Sequence, residues 1–188
     1  MENKMENKNI KIDNKNYQVS SDDQYLTAMG NNFEPHMVQL FRALLGPEDV
    51  VADIGANIGL TSLLFSNLVK YVYSFEPSPS TFKILQSNLR SNSTSNVEAV
   101  NIGLGHKNEK LSITFAKNNR SGGFVSEKIR PVEGHMTENI RIDTLDNFFA
   151  DKKPTPSFLK IDVEGFEQNV IQGGGDSSQI INLRWSWR

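Results

Sequence analysis

The chain has no cysteine. That excludes disulfides, thiolate catalysis and any cysteine-held metal, and it fits a cytoplasmic setting. No stretch approaches the roughly 20 apolar residues of a membrane span, so no membrane partner is expected. The N-terminus, Met1-Glu2-Asn3-Lys4 and its tandem copy Met5-Glu6-Asn7-Lys8, lacks the apolar core of a signal peptide. Neither sign of charge is in excess: 20 Lys and Arg face 22 Asp and Glu, for a net charge of −2. With a pI near 5.9 and no basic stripe, nucleic acid is not an expected partner. The three histidines, His36, His106 and His135, do not combine with carboxylates at metal-ligand spacing, so no metal is expected.

What remains is an ordinary globular composition. Of 188 residues, 37% are hydrophobic and 22% charged, which suits one folded domain with a sizeable core. Residues 1–16 are rich in Asn and Lys and of low complexity, so a disordered tail is expected there, with the domain running over 17–188.

The most informative run is Val50-Val51-Ala52-Asp53-Ile54-Gly55-Ala56-Asn57-Ile58-Gly59-Leu60. It reads as a buried parallel strand ending at an Asp, then a glycine turn, then a helix start. Ligand sites of open α/β sheets lie at such turns, outside the carboxyl ends of strands. A dinucleotide fingerprint needs G-x-G-x-x-G. Asn57 stands at its second glycine and Leu60 at its third, which argues against a pyrophosphate cradle. A second strand, Tyr71 to Phe75, ends in Glu76-Pro77. Glu76 lies 23 residues after Asp53, close to the roughly 20-residue spacing at which an acidic side chain meets ribose hydroxyls. A carboxylate can accept from both hydroxyls of such a diol.

The rest of the pattern alternates strand and helix. Apolar spacing predicts a helix from Pro35 through Leu45, a helix over Thr61–Val69, another over Ser80–Arg90, and a third strand over Val97–Asn101. Leu111 to Phe115 alternates as a strand, residues 117–135 read as a mobile loop, Ile140–Asp143 is extended, and Thr144 caps a helix start. Ser157 to Gly165 is a further strand in which Leu159, Ile161 and Val163 alternate with Lys160, Asp162 and Glu164. Three ionisable residues on one face of a buried parallel strand are anomalous. They are either a structural Lys–Asp pair, a wet edge, or groups put to use. A short helix to Ile171 and a fifth strand over Ile180–Trp185 complete the pattern, which is that of a layered α/β sheet.

Taken together, residues 33–185 resemble the FkbM family of S-adenosylmethionine-dependent methyltransferases. The resemblance rests on Asp53-Ile54-Gly55-Ala56-Asn57-Ile58-Gly59, on Phe75-Glu76-Pro77, on Asp143-Thr144-Leu145-Asp146, and most specifically on Leu159-Lys160-Ile161-Asp162-Val163-Glu164-Gly165-Phe166-Glu167. It implies a Rossmann-like class I methyltransferase sheet in three α/β/α layers, and S-adenosyl-L-methionine as cofactor. The implied reaction is O-methylation of a hydroxyl on a sugar, glycan or natural product. By the same resemblance Asp53, Gly55, Asn57 and Gly59 would line the cofactor's methionine and ribose end, and Glu76 with Pro77 would meet the ribose. Asn101 would lie near adenine, and Asp162 and Glu164 would sit where acceptor and sulfonium meet. A carboxylate or His commonly removes a hydroxyl proton. Asp162 or Glu164 is the expected base, with the three histidines as rivals.

The C-terminal part departs from the family. Gly173-Gly174-Gly175-Asp176-Ser177-Ser178 is looser than the usual helix, and Leu183 to Arg188 does not close as an apolar strand with an acidic end. Two further strands of a full class I sheet are not evident. A fragment, a homodimer through the exposed sheet edge, and an inactive domain all stay open. Three other function classes compete. A non-catalytic or truncated methyltransferase-like binding protein is the first. An NAD-dependent oxidoreductase is disfavoured by the missing glycines, and a nucleic-acid methyltransferase by the acidic pI and the lack of an Asn-Pro-Pro-Tyr motif.

Overall fold

A computed structural model of the chain describes residues 5–126, 133–175 and 182–184. The expected disordered tail is ordered from Glu6: β1 (Glu6–Ile12) and β2 (Lys15–Ser21) form an antiparallel hairpin. The reason is a period-two pattern hidden in polar sequence. Ile10, Ile12, Tyr17 and Val19 all face inward and are buried. Asp13 takes the left-handed conformation that a tight hairpin turn needs. The outer edge of β2 is satisfied by side chains. The Asn88 and Asn92 amides, one helical turn apart, each exchange two hydrogen bonds with the backbone of Ser20 and Gln18.

Next come a short helix α1 (Tyr25–Met29) and α2 (Pro35–Leu44), which matches the predicted helix with Pro at its first turn. The alternating core then follows as expected: β3 (Val50–Ile54), α3 (Leu60–Leu68), β4 (Tyr71–Phe75), α4 (Pro79–Ser91) and β5 (Val97–Val100). A second sheet is inserted here. It consists of β6 (Gly103–Leu104), β7 (Glu109–Ala116), β8 (Asn119–Ser126) and β9 (His135–Asp143), in the order β6-β9-β7-β8. The expected mobile loop over 117–135 is thus corrected in part, because ladder hydrogen bonds to β7 hold 119–126 as a strand. Residues 127–132 lie outside the described ones. The chain ends its course through α5 (Leu145–Phe149), β10 (Phe158–Ile161), α6 (Glu167–Gln172) and β11 (Asn182–Arg184). Only the middle of the expected fifth strand is described; Ile180, Ile181 and Trp185 are not among those residues.

The central sheet is fully parallel with the order β11-β10-β3-β4-β5. Helices α2, α3 and α4 cover one face with Phe41, Leu63, Leu64 and Leu85 against Val51 and Val72. On the other face Leu145, Val170, Phe148 and Phe149 pack on Ala52, Ile54, Tyr73 and Phe75. Every residue of β3 is buried, as a strand covered on both sides requires. This is a Rossmann-like α/β/α sandwich. The strand order reverses between β3 and β10, and a ligand crevice belongs at the carboxyl ends of the strands there.

Candidate cofactor cleft

A cleft opens at that point. Its floor is the β3–α3 turn (Gly55, Ala56, Asn57, Ile58), flanked by Glu76, Pro77 and Ser78 after β4 and by Lys160, Asp162, Val163 and Glu164 at the end of β10. Gly55 has φ +79°, and a Cβ there would overlap the backbone carbonyl of Asp162. Only glycine allows the two loops to approach so closely.

Glu76 is buried at 6% exposure, yet it lines the cleft. Its carboxylate accepts from the backbone N–H of Asn57 (3.0 Å) and of Ser78 (2.9 Å). Burial pushes its carboxyl up to about 7, against the pull of those two N–H groups and of Lys160. An ionised carboxylate has about four acceptor positions, so two remain for a ligand. Beside it the Asn57 amide oxygen is buried with no hydrogen-bond partner, and Asn57 itself is held at φ +50°. A buried orphan acceptor beside a half-used carboxylate fits a ligand that brings several N–H or O–H donors, as a nucleoside carrying a free amino-acid group does.

The charged face of β10 has a structural explanation. Lys160 lies opposite Asp53 in the ladder. Its ammonium is 3.0 Å from Asp53 Oδ1 and 3.7 Å from Asp162 Oδ2, and it donates to the Gly55 carbonyl (3.1 Å). Burial alone would lower its pKa; the carboxylates of Asp53 and Asp162 override that and raise it. Ser74 donates to Ser62, which donates to Asp53 Oδ2, so a buried polar chain runs beneath the glycine turn. The expected alternation through Glu164 does not hold. The strand stops at Ile161, and Glu164 sits in an exposed turn at φ +48°. Its carboxyl is raised by partial burial and by the charges of Asp162 and Glu167.

Six predicted residues meet at the cleft: Gly55, Asn57, Glu76, Pro77, Asp162 and Glu164. Three lie one layer behind it. The Asp53 side chain is fully buried under the turn. Gly59 turns the chain into α3 at φ +98°. Asn101 donates to the carbonyls of Glu76 and Pro77, and so braces the loop instead of facing the opening. None of His36, His106 and His135 lines the cleft.

The far wall comes from residues that no motif marked as part of a site: Ile113, Phe115, Arg120, Gly123 and Val125 of the β7–β8 hairpin, and Tyr25 of α1. Tyr25 keeps its proton, its pKa pushed up to about 12 by burial and then by Glu34, Asp162 and Asp23. No sequence signal links positions so far apart. Among the described residues no group of three or more His, Asp and Glu could hold a metal, and no helix is long and apolar enough to cross a membrane.

Known proteins resemble this chain in sequence. The family model described as the methyltransferase FkbM domain matches residues 53–185. Methyltransferase 1 of Beauveria bassiana is 29% identical, over 69% of this chain and 60% of that protein. The hexuronic acid methyltransferase AglP of Haloferax volcanii is 29% identical, over 80% and 60% respectively. A crystal structure of a methyltransferase FkbM from Methylobacillus flagellatus is 20% identical, covers 67% of this chain and 28% of that one, and superposes with a TM-score of 0.46. The chain spans about 60% of the length of the curated relatives it matches. The turn at Gly55, the carboxylate at Glu76 and the Lys160–Glu167 segment all lie within the matched stretch: the chain belongs to the methyltransferase FkbM family.

Proposed function

We propose that this chain binds S-adenosyl-L-methionine in the cleft and methylates a hydroxyl oxygen of a sugar, glycan or natural product. The observation that carries the reading is Glu76: a buried carboxylate with two free acceptor positions at the end of the second core strand, beside the orphaned Asn57 amide oxygen. Glu76 would hold the ribose diol, and Asn57 and the Gly55 turn would hold the methionine part. When bound, the cofactor supplies a methyl on a sulfonium, which is a good leaving group. This chain's own residues have simpler work. The Gly55 and Glu76 loops position the ligand, and the hairpin wall of Ile113, Phe115 and Val125 keeps water from the cleft. Glu164, with its raised carboxyl at the mouth, takes the proton of the acceptor hydroxyl. Asp162 stays paired with Lys160 and orients the acceptor. The relative named for a hexuronic acid supports a sugar-class acceptor.

Calorimetric titration with S-adenosylhomocysteine tests the cofactor. Micromolar binding, roughly −8 kcal/mol, that is lost in Glu76→Ala is the expected result. A folded wild-type chain that does not bind would refute it. Transfer of labelled methyl to glycosides, uronic acids and catechols, lost in Glu164→Gln, tests the chemistry.

A further inference from the structure

Residues 22–25 precede the family-matched stretch, yet they are tied to the cleft by an ordered set of bonds. Arg120 on β8 grips Asp22 through Nε and Nη2, each 2.5 Å from a carboxylate oxygen, and its side chain is 5% exposed. Such two-pronged pairs fix geometry as well as charge. Nη1 of the same guanidinium donates to the Ser80 and Thr81 hydroxyls at the start of α4, and the group lies 5.2 Å over the Phe115 ring. Asp23 ties the same segment down. One carboxylate oxygen accepts from the backbone N–H of Tyr25 and the hydroxyl of Ser21, and the other from the backbone N–H of Arg120. Gln24 N–H donates to the Asn118 carbonyl. This set sets Tyr25 against the cleft, within reach of the Asp162 charge.

We propose that the Asp22–Arg120 ion pair latches residues 22–25 across the cleft as its outer wall, and that Tyr25 is a ligand-contacting residue covering a bound S-adenosyl ligand. The proposal rests on the cofactor reading above. Asp22 and Arg120 are positioning residues that act through Tyr25. The test is the dissociation rate of S-adenosylhomocysteine from the 188-residue chain, with the urea midpoint measured in parallel. Tyr25→Ala is expected to speed dissociation by about tenfold while the association rate changes little. Asp22→Asn should speed it as well, and the double variant should be no faster than the faster single, because both changes remove the same wall. Lower urea midpoints with unchanged dissociation would overturn the proposal, and so would additive effects in the double variant. No binding by the wild-type chain would refute the cofactor reading and this proposal with it.

Discussion

Glu76→Gln should change stability in a pH-dependent way. In the folded chain the Glu76 carboxyl holds its proton up to about pH 7, against an ordinary value of 4.5. The folded state therefore keeps a proton that the unfolded state has released, and stability falls as pH rises from about 4.5 to about 7 and then levels off. Each unit of difference is about 1.4 kcal/mol, so the full penalty is about 3 kcal/mol, and about 2 to 3 kcal/mol of it falls between pH 5 and 8. Glutamine cannot titrate. It also turns an amide donor toward one of the two backbone N–H groups, which costs about 1–3 kcal/mol but does so equally at both pH values. Urea unfolding of both proteins at pH 5 and pH 8 isolates the effect. The variant should gain about 2 to 3 kcal/mol on the wild type across that interval. A difference that stays constant to within about 0.5 kcal/mol would refute the reasoning, and would mean that the two N–H groups hold the carboxylate charged despite its burial. The same titration reaches binding. If ribose hydroxyls donate to the ionised carboxylate, wild-type affinity for S-adenosylhomocysteine should rise about tenfold from pH 6 to pH 8, as the competent fraction does, and the variant should show no such rise.

The other predictions concern the scaffold and the chemistry. Asp53→Ala strands the buried Lys160 ammonium and should cost about 3–5 kcal/mol by urea unfolding; a loss below about 1 kcal/mol would show that Asp162 suffices as its partner. Gly55→Ala combines a left-handed backbone with an overlap on the Asp162 carbonyl, and should cost more than about 2 kcal/mol and abolish cofactor binding in calorimetry. Glu164→Gln should lower methyl transfer at least about a hundredfold with cofactor affinity unchanged; wild-type turnover would assign the proton to another group.

Local signals carried the core of this protein. The strand–turn–helix at Asp53 to Leu60, the strand closing at Glu76 and the N-cap at Thr144 each depend on neighbours a few residues away, so their chemistry is written in consecutive positions. The hairpin of β1 and β2 was written there too, in the alternation of Ile10, Ile12, Tyr17 and Val19, but Asn and Lys on its outer face gave the stretch through residue 16 the composition of a disordered tail. Burial against α3 and α4 overrode that composition. Two features only the tertiary structure could decide. Lys160 reads in sequence as an odd charge on a buried strand; ladder register with Asp53, over a hundred positions away, makes it a paired cation beneath the glycine turn. Arg120 reads as one polar residue in a polar stretch; the fold brings it to Asp22, to the start of α4 and to Phe115 at once. Pairing between residues so distant leaves no mark on either one's neighbours, because the partner is supplied by chain topology and not by spacing. So the sequence alone determined the sheet, the turn and the acidic residue at the second strand's end. The wall facing them was decided by which loops the closed fold sets side by side.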